Sequence, residues 1–154
     1  MNIIGKMDLD GKTFKQMLVY GAASLRKNIE IVNNLNVFPV PDGDTGTNMK
    51  MTFDSGLSAL TWDKDEGIGS VSEKFAQGML LGARGNSGVI LSQIFKGISN
   101  GLIGKETVNA MELGQAFSEG VKQSYIAVRK PVEGTILTVF REATEKANDN
   151  TNIK

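Results

Sequence analysis

The sequence predicts an all-α protein, an antiparallel bundle or barrel of amphipathic helices. Two observations carry this. Apolar residues recur at three- and four-residue spacing almost throughout, and no segment alternates convincingly as a strand would. Polar breaks bearing glycine or proline then divide the pattern into successive segments.

Each element has its own reason. Phe14, Met17, Leu18, Gly21, Ala22, Leu25, Ile29 and Val32 mark the first apolar face, and Asn28 is expected to split it into a long and a short helix. A second helix should open at Thr47 and run to about Leu60. The polar stretch from Thr61 to Gly69 reads as a surface loop. Ser70-Val71-Ser72-Glu73 has the form of a capping box, continued by Val71, Phe75 and Met79. A fourth helix covers Ser87 to about Ser99, with Ile90, Ile94 and Ile98 on one face and Asn100-Gly101 as its stop. Asn109 and Glu112 can box the start of a fifth, which Leu113, Ala116, Phe117, Val121, Tyr125 and Val128 carry to Pro131. A sixth covers about Thr135 to Ala147, with Ile136, Val139, Phe140 and Ala143 inward, and residues 148–154 make a polar ending. Gly21, Gly56, Gly78 and Gly120 fall inside helical patterns, each costing roughly 1 kcal/mol against Ala. Close helix–helix approach is the compensation expected, with a kink as the alternative.

Composition excludes several chemistries. A chain of 154 residues fits one domain. The 17 basic and 17 acidic residues balance, so nothing suggests a nucleic-acid surface. Cysteine is absent, which removes disulfides, thiolate metal sites and a Cys nucleophile, and agrees with a cytoplasmic protein. Histidine is absent too, so a Ser-His-Asp or Cys-His site within the chain is excluded. No apolar run approaches the roughly 20 residues of a membrane span, and no signal peptide is apparent.

Three breaks between helices carry chemistry. Asn36 to Asn48 reads Asn-Val-Phe-Pro-Val-Pro-Asp-Gly-Asp-Thr-Gly-Thr-Asn. Pro39 and Pro41 stiffen an extended approach. Gly43 lets the chain turn between Asp42 and Asp44, and Thr45, Gly46, Thr47 and Asn48 look like a helix start. Carboxylates beside a helix N-terminus suit a divalent cation with a phosphate next to it, although Asp-Gly is also the commonest turn dipeptide. An EF-hand fails, because Phe53 stands where its bidentate Glu is needed. The second break, Gly82-Ala83-Arg84-Gly85-Asn86-Ser87-Gly88, is an anion cradle in type or a flexible turn capped by Asn86 or Ser87. A Walker A loop is absent: Gly104-Lys105-Glu106 has Glu where Ser or Thr must meet magnesium. The third break, Lys130-Pro131-Val132-Glu133-Gly134-Thr135, again turns into a helix, with Glu133 either a ligand or a solvated residue at a helix N-terminus.

Taken together, these segments resemble the nucleotide-binding domain of the dihydroxyacetone kinase family. The likeness covers the chain from Asp8 to Ala147 and is nearest to the N-terminal domain of the bacterial fatty acid kinases. The resemblance implies a barrel of amphipathic helices with ATP at one end, bound through a pair of magnesium ions. Asp42 and Asp44 would hold the metals. Asn36, a neutral and weaker ligand, stands nearest to a further acidic ligand of the family. Thr45, Gly46, Thr47 and Asn48 would follow onto the phosphates, Gly85, Asn86, Ser87 and Gly88 would cradle them, and the turn from Pro131 through Thr135 to Leu137 would border the base.

In such kinases the phosphoryl acceptor sits on another subunit or domain. The resemblance therefore implies a fatty-acid-binding partner protein, with an acyl phosphate as product, or an acceptor-binding subunit presenting a small ketone. The six or seven helices predicted are fewer than the family barrel holds, which suggests a domain incomplete at its C-terminal end. An open barrel would expose apolar surface and favour a homodimer. The competing expectation is a nucleotide-binding interaction module without turnover.

Overall fold

The computed structural model describes residues 8–151. Seven helices stand among them: α1 (Gly11–Lys27), α2 (Ile29–Asn34), α3 (Thr45–Ser58), α4 (Ile68–Leu81), α5 (Gly85–Gly101), α6 (Ala110–Ala127) and α7 (Ile136–Thr151). Two short strands, β1 (Leu9–Asp10) and β2 (Thr107–Val108), pair antiparallel with Leu9 opposite Val108. The strands are a departure from the expected pattern. Two residues are too few to show alternation, so no periodicity could announce them.

The first helix is set by its ends. Asp10 accepts a 2.7 Å hydrogen bond from the Thr13 N–H, while Arg26 and Lys27 lie in the last turn, where the helix dipole favours cations. Asn28 ends α1 by donating from its side chain to the Ser24 carbonyl at 2.8 Å, and α2 follows at once. Phe14, Leu18 and Ala22, one helical turn apart, form the buried stripe.

The core centres on α4. Its Ile68, Val71, Phe75 and Met79 are completely buried. Phe75 packs edge-on against Phe53 of α3 and Phe95 of α5, each at 4.9 Å between ring centres. Helices α3 and α4 touch through glycines. A Cβ on Gly56 would lie 2.6 Å from Phe75 and Met79, and one on Gly78 2.6 Å from the Ser55 carbonyl. Gly21 is different, since a Cβ there would meet only Phe53 at an ordinary 3.7 Å. Close approach therefore explains the α3–α4 glycines and not Gly21.

Three helix starts differ from expectation, the first being α3, which opens at Thr45 and not at Thr47. Helix α4 opens at Ile68 with Gly67 as N-cap, so Ser70 lies inside the helix and forms no capping box. Its hydroxyl donates to Glu66 instead. Helix α5 opens at Gly85 with Arg84 as N-cap, and neither Asn86 nor Ser87 caps it. The predicted box on α6 is present: Asn109 accepts from the Glu112 N–H at 2.9 Å, and Glu112 accepts from the Asn109 N–H at 3.0 Å. At the C-terminal end α7 runs to Thr151, beyond Ala147 and into the polar ending.

The loop from Thr61 to Gly67 is anchored by a buried cation. Lys15 donates to the carbonyls of Thr61 and Lys64 and lies 3.3 Å from Glu66. Lys74 completes the cluster by donating to Glu66. A buried ammonium needs such partners, and this set offers three.

Candidate functional site

One cleft of about 630 Å³ gathers all three of the chemically distinctive breaks. Asn36, Asp42, Asp44, Thr45 and Asn48 come from the first, Gly85, Asn86 and Ser87 from the second, and Lys130, Val132, Gly134 and Thr135 from the third. Gly46, Thr47, Gly88 and Pro131 do not line it.

The α2–α3 connection brings up the carboxylates. Gly43, at φ +67°, supplies the left-handed residue that turns the chain between Asp42 and Asp44. Asp44 is the N-cap of α3, yet its side chain makes no capping bond. That work is done from α2 by Asn33. Its Oδ1 accepts from the N–H groups of Gly46 at 2.8 Å and Thr47 at 3.2 Å, and its Nδ2 donates to the Thr47 hydroxyl at 3.1 Å. Asp44 is thereby left free for another partner. The N–H groups of Gly46 and Thr47, read from sequence as open to a phosphate, are already taken. Asp42 accepts a 2.7 Å hydrogen bond from Asn36 Nδ2. Asn36 thus stands as a hydrogen-bond partner of Asp42. Both aspartates are exposed, and among the described residues neither forms an ion pair.

The start of α5 behaves differently. No side chain caps it, so the first-turn N–H groups of Gly85, Asn86 and Ser87 have no capping acceptor. An uncapped helix N-terminus beside a cleft favours an anion. Gly85 has φ +59°, which a side chain resists, and a Cβ on it would lie 2.4 Å from Asn48 Nδ2. Gly88 is buried within α5. Its missing Cβ leaves room for Thr52 Oγ1, which would otherwise be 2.2 Å away. Thr52 donates to the Asn48 carbonyl at 2.8 Å and accepts from the Arg84 N–H at 3.0 Å, joining α3 to the start of α5. Gly88 is therefore a packing glycine between the two helices.

Glu133 lies outside the cleft lining. It accepts from the Tyr125 hydroxyl at 2.9 Å, the Thr138 hydroxyl at 2.6 Å and Arg141 Nη2 at 3.1 Å. The hydrogen bonds from Thr138 and Tyr125, with Arg141 behind them, hold its carboxyl below the usual glutamate range. It is a bound residue of the turn rather than an open ligand.

The donor set suits a hard divalent cation working with a phosphate. Among the described residues no group of three or more acidic or histidine side chains forms a metal cage. Two carboxylates with phosphate and water filling the remaining positions are how magnesium is commonly held.

The DAK2 domain family matches this chain over residues 39–154. The chain belongs to that family. It is a domain of the dihydroxyacetone kinase type, and such domains are nucleotide-binding modules. Protein YloV of Bacillus subtilis is 51% identical over 139 residues, covering 90% of this chain and 25% of its own length. An uncharacterized protein of Staphylococcus saprophyticus is 50% identical over 139 residues, with the same two coverages. An uncharacterized protein of Staphylococcus epidermidis is 46% identical over 141 residues, covering 92% of this chain and 26% of itself. The chain thus spans about a quarter of the length of the curated relatives it matches. Among the described residues no helix is long and apolar enough to cross a membrane.

Several contributors to the cleft were not read from the sequence as site residues. Leu35, Phe38, Val40 and Val139 line it while remaining exposed. Helical spacing assigns Val139 to the core, yet it is 69% exposed. Asn33 was equally silent, because its partners lie 13 and 14 residues away across a loop.

Proposed function

We propose that this domain binds ATP with magnesium and serves a kinase that phosphorylates a fatty acid carried by a partner binding protein, forming an acyl phosphate. The observation that carries the reading is the meeting of Asp42 and Asp44 with the uncapped start of α5 in one cleft. Carboxylates and helix N–H groups offer opposite charges. A ligand that satisfies both is an anion already bridged to a cation, and a nucleotide triphosphate with magnesium is such a ligand.

Each residue then has a task. Asp42 and Asp44 hold magnesium, with Asn36 fixing the orientation of Asp42. Magnesium neutralises charge on the phosphates when bound. The N–H groups of Gly85, Asn86 and Ser87 receive phosphate oxygens, with Thr45 and Asn48 on the same wall. Positioning and preset electrostatics are the whole contribution asked of the protein. A carboxylate acceptor is already an anion at neutral pH and needs no general base, in keeping with a chain that lacks histidine.

The acceptor comes from outside the domain, and the exposed Leu35, Val37, Phe38 and Val40 of the cleft lining offer it an apolar approach. A dihydroxyacetone-type phosphotransfer subunit has the same requirements for ATP and magnesium and differs only in the acceptor. Self-association through exposed apolar faces belongs to the same proposal, and light scattering at micromolar protein reads it. The test of function is phosphate transfer from ATP to a fatty acid, with and without a fatty-acid-binding protein, beside dihydroxyacetone as the rival acceptor. Acyl phosphate formed only with the binding protein supports the reading. Transfer to the ketone alone, or ATP binding without transfer to either, replaces it.

A further inference from the structure

The cleft has two unlike walls. Asp42, Asp44 and the start of α5 form the polar one, while the apolar one has two parts, one from α2 and the α2–α3 connection with Met49 and Ile90, the other from Val128, Val132, Ile136, Leu137 and Val139. The latter part is the turn between α6 and α7 together with the start of α7, and the turn is exposed along residues 129–134. A turn of that kind needs something to hold it.

Three side chains do so. Tyr125, near the end of α6, donates to Glu133 in the turn at 2.9 Å. Arg141, one turn and more into α7, donates through Nε to the Tyr125 hydroxyl at 3.2 Å and through Nη2 to Glu133 at 3.1 Å. The Tyr125 hydroxyl is thus both donor and acceptor, and the three groups close a ring that spans helix, turn and helix. Thr138 extends it by donating to Glu133 at 2.6 Å and accepting from the Gly134 N–H at 2.8 Å. None of the three ring members lines the cleft, while the residues flanking Glu133 do.

We infer that Tyr125, Glu133 and Arg141 are positioning residues that lock the α6–α7 part of the apolar wall and set its affinity for the non-phosphate part of the ligand. The inference rests on the proposed nucleotide site and goes beyond it by separating two contributions to affinity. The polar wall takes the phosphates. The clamped wall takes what the phosphates are attached to. Because the ring is partly solvent-exposed, its ion pair adds little to global stability. Its effect is local, on how often the wall stands in its binding position. Arg141 also donates through Nη1 to Glu145 at 3.4 Å, and it needs its planar fork to serve these acceptors together, so lysine is not a substitute.

The test compares ATP with inorganic tripolyphosphate, both with magnesium, on the wild-type chain and on Tyr125→Phe, Glu133→Gln and Arg141→Lys. Amide hydrogen exchange at residues 129–135 and the melting temperature are read alongside. The expected result is ATP binding weakened about tenfold and tripolyphosphate binding changed by less than about twofold. Exchange in the turn rises and the melting temperature stays in place. Equal weakening of both ligands, or unchanged ATP affinity with unchanged exchange, overturns the inference. A wild-type chain that binds neither ligand overturns the nucleotide reading instead, and the exchange measurement then decides the clamp by itself.

Discussion

Helices α3 and α5 both begin at the cleft, and their N-termini are treated in opposite ways. The start of α3 is closed by Asn33, which reaches over from α2 and takes two N–H groups. The start of α5 has no side-chain cap at all. A capped end serves the fold, and an uncapped end at a cleft is available to a ligand. The same contrast separates the acidic residues. Asp10 caps α1, whereas Asp44 sits at the cap position of α3 and is relieved of capping by Asn33.

The largest effect expected from breaking this arrangement is at Gly88. A valine there places its Cβ against Thr52 Oγ1, and Thr52 is held by bonds to both Asn48 and Arg84. Gly88→Val should cost about 3 kcal/mol through overpacking, read as a lower melting temperature without ligand. Gly85→Ala should cost less, about 1–2 kcal/mol, because the strain is one residue's left-handed backbone and the Asn48 amide can swing aside. If Gly88→Val melted like wild type, the contact between α3 and α5 would be wrongly drawn.

A smaller effect sharpens the comparison. Asn33→Ala removes the α3 cap and should lower stability by about 1 kcal/mol in denaturant titration. Asn86→Ala, at the uncapped end of α5, should leave stability unchanged. Equal losses in the two variants would erase the distinction between the helix starts.

The smallest effect concerns pH. The hydrogen bond from Lys74, opposed by desolvation and aided by Lys15, keeps the Glu66 carboxyl below its ordinary 4.5. A lowered folded value means the stabilisation is present above about pH 4.5 and is lost as pH falls through that folded value. The melting temperature should therefore drop on the acid side, and less steeply in Lys74→Met. An identical acid limb in that variant would remove Glu66 from the account.

Much of this was legible in the chain because it is local. Phe14, Leu18 and Ala22 share a face by spacing alone, and the Asn109–Glu112 box lies within one helical turn. The three chemically distinctive breaks were each visible as residues. Their meeting in one cleft depends on how helices pack, as do the roles of residues whose partners are remote. Asn33 caps a helix across a loop, Lys15 reaches Thr61 and Lys64, and Glu133 is bound by three side chains. The expected capping box at Ser70 failed for a related reason. Ile68 and Val71 are both fully buried, and α4 begins early enough to seat them together.

The central claim is that Asp42 and Asp44 bind magnesium and, through it, the nucleotide phosphates. Calorimetric titration of ATP with and without magnesium, on wild type and on the double variant Asp42→Asn with Asp44→Asn, tests it most directly. Both residues are exposed and outside the core, so helicity and melting temperature should persist in the variant. Wild type should bind ATP in a magnesium-dependent manner, and the double variant should lose that binding. Wild-type affinity in the double variant, or affinity indifferent to magnesium, would contradict it.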